Sequence, residues 1–236
     1  MRNLLLLTIV TLLFSSCDPA TLAQLLGTSQ EGVSEREVAM GLKEALEIGI
    51  GIGSEQLSKK DGYFKSPYKI LLPPEVRKVT TKLEGIPFYS DVEDILLEKI
   101  NRGAEDAAMK AKPIFVSAIK SMTFSDAMGI LFGGETAATD YLYRATNQAL
   151  YNEFNPVIVN SLNKFNAIEY WGDAVNVYNK IPFTEKLNPR LDDYVTKEAL
   201  KGLFAMVEKE EKAIRKDPLK RVTSLLQRVF GQLDNK

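Results

Sequence analysis

The chain has 236 residues, with 30 Lys+Arg against 31 Asp+Glu, no histidine, and one cysteine, Cys17. That charge balance leaves no electrostatic footprint for nucleic acid. Without imidazole the Ser-His-Asp and Cys-His catalytic sets and the usual zinc ligand sets are excluded, so no metal or cofactor is expected and any active site would rest on carboxylates, lysine, tyrosine or serine.

The first residues read as an export signal. Arg2 gives a short basic start, Leu4 to Phe14 an apolar run, and Ser15-Ser16 small residues ahead of Cys17; this is the order of a secretory signal peptide. The apolar run is shorter than the roughly 20 residues a transmembrane helix needs. Phe14-Ser15-Ser16-Cys17 resembles a bacterial lipobox, with Phe14 where leucine is usual. The resemblance implies cleavage before Cys17 and a diacylglycerol on its sulfur, an acyl anchor of the palmitate kind. An ordinary signal peptide with an incidental cysteine is the alternative. Two or more acyl chains anchor stably where one does not. The expected partition is a lipoprotein signal peptide over 1–16, a lipidated tether over 17–33 and a helical domain over 34–236.

Ser34 and Glu37 have capping-box spacing, and Val38, Leu42, Ala45, Leu46 and Ile50 then recur at helical intervals. Gly49, Gly51 and Gly53 interrupt this helix without the strand or the spacing of a dinucleotide fingerprint. Gly49 and Gly53 share a face and predict close approach of another helix, with Ile48, Ile50 and Ile52 buried around them. Pro67, Pro73 and Pro74 break the pattern. Tyr63 to Leu72 is the one place for a very short β-hairpin. Further helices are expected from Pro74, from Ser90 or Asp91, and from Pro113.

The stretch GILFGGETAATDYLYRAT, Gly129 to Thr146, carries paired glycines. A phosphate loop would follow a strand and place Lys-Ser/Thr after the glycine; Glu135 stands there instead. Thr123 and Asp126 predict a capping box, Gly133 a left-handed helix end, and Glu135 or Thr136 the start of the next helix. Asp140, Arg144 and Asn147 lie near one face of that helix. Asp140 and Arg144 are four apart and could pair, either organising the core or lining a cleft.

At this point the sequence resembles domain-of-unknown-function family 4197, whose members are mostly exported bacterial proteins. The resemblance is carried by IKSMTFSDAMGILFGGETAATDYLYRAT, GLKEALEIGI with LSKKDGYFKSPYKILLP, MKAKPIFVSAIK, and LDDYVTKEALKGLFAMVEKEEKAIRKDP. These blocks occur in order from about Gly41 to Gly231. The family implies no activity, cofactor or catalytic residue to carry over.

Tyr151 to Pro156 is expected to end one helix and begin another, and Tyr170, Trp171, Tyr178 and Phe183, with Val175 among them, are read as core and core edge, the alternative being aromatics that stack on a sugar or line a lipid cleft. Leu191 to Lys216 is the clearest helix, acidic at its start and basic at its end, with Leu200, Leu203, Phe204, Val207 and Ile214 inward. Glu208 to Lys212 reads as a solvated face. Thr223-Ser224 caps a closing helix. Lys220, Arg221 and Arg228 form a basic cluster on the surface.

The sequence therefore predicts one all-α domain of about eight helices, moored by lipid to the inner or outer membrane of a bacterial cell envelope. The expected role is non-catalytic, binding an apolar ligand or an envelope protein partner or serving as structure. The alternative is a carboxylate-dependent hydrolase acting on a cell-wall or lipid substrate.

Overall fold

The computed structural model describes residues 33–74, 76–77, 92–164, 166–180, 182–183, 185–188 and 190–234. The expected signal peptide and nearly all of the tether, Cys17 included, lie outside these residues, as does most of the helix expected from Pro74. Among the described residues the named helices are α1 (Glu35–Ser58), α2 (Val92–Ala108), α3 (Ala111–Ser121), α4 (Phe124–Leu131), α5 (Ala137–Asn163), α6 (Ala167–Tyr178), α7 (Leu191–Lys216) and α8 (Ser224–Gly231), with a 3-10 turn at Pro218–Lys220. No strand occurs among the described residues, and the fold is all-α.

Helix α1 begins directly after Ser34 and buries Val38, Leu42, Ala45, Leu46 and Ile50, the stripe its spacing predicts. Apart from Ala45, each of these side chains contributes about 1.5–3 kcal/mol by leaving water. The helix lies on α7. A Cβ on Gly49 would stand 3.3 Å from Glu210 Cβ, and one on Gly53 only 2.9 Å from Met206 Cγ. The two glycines thus set the approach of α1 to α7. Of the flanking isoleucines expected to be buried, only Ile50 is; Ile48 is half-buried and Ile52 exposed. α7 and α5 form the centre of the body; α2 packs chiefly on α5 and also touches α1 and α7, and α3, α4 and α8 gather around α1.

Five further expectations are corrected. The hairpin at Tyr63 to Leu72 is a run of turns. Its backbone has no need of a partner strand because side chains from α2 satisfy it. Glu105 accepts from the N–H groups of Tyr63 and Phe64, each at 3.1 Å. Asn101 accepts from Ile70 N at 2.8 Å and donates to Ile70 O at 2.9 Å. The same bond types that a strand would offer come from two helical residues.

Helix α5 does not stop at Pro156 but runs through it to Asn163. Pro156 lacks the N–H that Asn152 O would accept, yet both residues are exposed, so water can serve that carbonyl. Phe154 and Ile158 on the inner face are fully buried and hold the two halves in line.

Gly133 is not left-handed. Thr123 and Asp126 do form the capping box that starts α4. At the other end, a Cβ on Gly133 would lie 2.6 Å from Gly129 O and 3.0 Å from Ala137 Cβ. Glycine is needed there for space, where α4 abuts the start of α5.

The stretch Glu208 to Lys212 is not uniformly solvated, since Glu211 is 6% exposed. The basic cluster also dissolves. Arg221 is buried and pairs with Asp234, and Arg228 pairs with Glu37 at 2.8 Å.

Among the described residues no single helix is long and apolar enough to cross a membrane. Helices α3 and α4 reach that composition only together, and they bend by 106° between them. Phe115, Ile119, Ala127 and Leu131 of this pair are buried in the body.

Candidate functional site

Two helices build an open groove. Thr139 at the start of α5 meets Glu211 near the end of α7, and Tyr151 further along α5 meets Asp193 at the start of α7. The two helices are therefore antiparallel. On α5, Thr139, Tyr143, Asn147 and Tyr151 recur every four residues and form one wall. On α7, Asp193, Lys197, Lys201, Ala205 and Glu208 form the other. Between them lies a groove of about 750 Å³, within the range of small-molecule sites.

The floor is apolar. Leu200 and Phe204 are buried beneath it. Tyr143 stands edge-on to Phe204, with ring centroids 5.0 Å apart at 64°, and Phe204 is edge-on to Phe115 in turn at 5.6 Å. Tyr143 stays 52% exposed, so an aromatic ring restrained by packing lines the groove.

The rim is charged but internally paired. Asp193 accepts from Tyr151 Oη at 2.7 Å and pairs with Lys197 at 2.8 Å. Lys201 pairs with Glu198, and Lys212 with Glu208. The Lys197 hydrogen bond, with that of Tyr151, holds the Asp193 carboxyl below the usual carboxylate range. The reciprocal bond to Asp193 and partial burial push the Tyr151 hydroxyl up to about 12. The side-chain amide of Asn147 makes no hydrogen bond among the described residues. Gln148 donates to Asn152 at 3.0 Å.

All carboxylates of the groove sit on the α7 wall, and the α5 wall contributes none. A paired-carboxylate hydrolysis needs an acid and a base or nucleophile on opposite sides of the scissile bond, an arrangement this groove does not offer. Among the described residues, no group of three or more His, Cys, Asp or Glu could hold a metal ion.

The buried charges lie elsewhere and are structural. Glu211 accepts from Ala138 N at 3.0 Å, from Thr139 N at 2.9 Å and from Thr139 Oγ1 at 2.7 Å. It also pairs with Arg215 at 2.9 Å, and Arg215 donates to Leu131 O and Ile130 O. One carboxylate thus caps the positive end of α5 while its guanidinium partner caps the end of α4. Arg102 joins Glu98, Glu105 and Asp61 in a second network. The space enclosed between α1, α5 and α7, lined by Gly49, Ala138 and Ile214 among others, is about 20 Å³, room for one water.

Of the residues singled out from sequence, Asp140 and Arg144 are exposed and line neither concavity. Asp140 accepts from Thr136 Oγ1 at 3.2 Å. Asn147, on nearly the same face, does enter the groove. Glu211, Glu105 and Asn101 were missed. The Glu211–Arg215 and Arg102–Glu105 steps, four and three residues, are the local signals that mark pairs; the backbone groups that Asn101, Glu105 and Glu211 reach on other elements lie 31 to 73 positions away.

A family model described as "Protein of unknown function (DUF4197)" matches residues 32–231. The chain belongs to this family. The match takes in α1 to α8 whole, including both walls of the groove. No curated protein and no solved structure matches the chain.

Proposed function

We propose that this member of the DUF4197 family is a bacterial envelope lipoprotein, moored through a diacylglycerol on Cys17, whose helical body binds rather than catalyses. The binding surface is the α5–α7 groove. The observation that carries this reading is the charge pairing of the groove. Its carboxylates, all on α7, are each engaged by a neighbouring lysine, and the opposite wall has aromatic, hydroxyl and amide groups instead. Such a site can hold a ligand and lacks a facing acid–base pair.

Support for the mooring comes from the order of Arg2, the apolar run, Ser15-Ser16 and the lone Cys17. The body's described helices are amphipathic, with their apolar faces turned inward, as suits a domain held beside a membrane and not in it.

The experiment is expression of the full chain in a bacterial host with labelled palmitate. The expected result is a labelled protein that sediments with membranes, and a Cys17→Ala variant that loses both the label and the sedimentation. An unlabelled wild-type protein of the mass left by ordinary signal cleavage would overturn the mooring.

A further inference from the structure

We propose that the α5–α7 groove is a binding site for a neutral oligosaccharide, an inference that rests on the binding role proposed above and names its ligand class. Three features point to it.

The first is the Tyr143 ring. It is half exposed and stands edge-on to Phe204, so packing restrains its orientation while part of the ring stays open to the groove. A pyranose ring has an apolar C–H face and a belt of hydroxyls. An aromatic face with a polar surround complements both, at little ordering cost because the ring is already held.

The second is the charge pairing. Asp193 is held by Lys197 and Tyr151, Glu198 by Lys201, and Glu208 by Lys212. With each carboxylate matched by a lysine, the groove offers no unbalanced charge that would select an anionic or a cationic ligand. A neutral ligand leaves every pair in place and can still add hydrogen bonds to their outer lone pairs and protons.

The third is the uncommitted polar group. The Asn147 amide, one turn along α5 from Tyr143, has a donor and an acceptor side with no partner among the described residues. A side-chain amide next to an aromatic face can bond two adjacent hydroxyls, one as acceptor and one as donor. From Thr139 to Tyr151 the wall extends about 18 Å at the helical rise, which suits a short oligomer and not a single sugar.

The test uses the full chain carrying Cys17→Ala, titrated by calorimetry with chitotetraose, cellotetraose and maltotetraose. The expected result is saturable binding of at least one of them. Tyr143→Ala and Asn147→Ala should each weaken it by about tenfold or more, while Tyr143→Phe retains most of it and the thermal melts of all variants coincide. If none of the three saturates, or if affinity survives both alanine variants, the saccharide site is overturned and the mooring and non-catalytic readings stand. Displacement of a bound saccharide by a peptide at equal or higher affinity would also overturn it. If the bound tetrasaccharide is cleaved, as mass spectrometry of the mixture would reveal, the saccharide site stands and the non-catalytic reading falls.

Discussion

Glu211 and Thr139 are joined twice, through the backbone N–H at 2.9 Å and the hydroxyl at 2.7 Å of Thr139. This contact ties the start of α5 to the last turns of α7, and Arg215 carries it on to the end of α4. Neutralising the carboxylate leaves a buried guanidinium without its counter-charge. Glu211→Gln should therefore lower stability by about 3 kcal/mol. Urea denaturation followed by far-UV circular dichroism would measure it. An unchanged midpoint would mean that the pair is solvated.

Asn101 serves Ile70 as a strand would, giving and taking one backbone bond. Asn101→Leu fits the volume but leaves the buried N–H and C=O of Ile70 unpaired. The expected loss is about 2–3 kcal/mol, with faster amide hydrogen exchange concentrated at Tyr63 to Leu72. Exchange that rises evenly over all helices would contradict the assignment of this bond to local support.

Glycines of α1 should diverge in sign. A Cβ on Gly41 would meet Val229 Cγ2 at 2.7 Å, and the branched side chain has little room to turn, whereas Gly51 has nothing within 4 Å. Gly41→Ala should destabilise by about 1–3 kcal/mol through overpacking. Gly51→Ala should stabilise by about 1 kcal/mol, the helix-propensity difference. The same reasoning makes Pro156→Ala stabilising by about 1–3 kcal/mol, since the exposed α5 interior regains its hydrogen bond. Thermal and urea melts of the three variants would decide all three signs.

Tyr151 and Asp193 titrate against each other at the groove. The Tyr151 hydroxyl, pushed up to about 12, stays protonated where an unfolded tyrosine ionises near 10. Folding therefore retains the proton, and its contribution to stability is present below about pH 10 and lost as pH rises through 12. The Asp193 carboxyl is lowered, first by Lys197 and then by Tyr151. Its contribution is present above the unfolded value of about 3.9 and lost as pH falls through the folded value. Ultraviolet titration of wild type against Tyr151→Phe should show the phenol that ionises near pH 12 disappear, and Asp193→Asn should move that phenol down. A Tyr151 that ionises with the bulk tyrosines would break the proposed link.

Sequence periodicity alone determined the all-α class, the bounds of α7, the capping box at Thr123 and Asp126, and the closing helix after Thr223. These depend on interactions within a few residues, which a linear reading contains. The same holds for the close approach at Gly49 and Gly53, because glycines four apart on an apolar stripe have few other uses. Tertiary structure alone decided that Tyr63 to Leu72 is a turn held by Glu105 and Asn101, that Pro156 sits inside α5, and that Glu211 is buried while its neighbours on α7 are not. In each of these the deciding partner lies far away in the chain or on the solvent side, so local propensity had no information about it. The groove was half legible. Asn147 stood out as a polar residue on a helical face, but only the antiparallel docking of α5 on α7 could separate it from Asp140 and Arg144 and set it beside the ring of Tyr143.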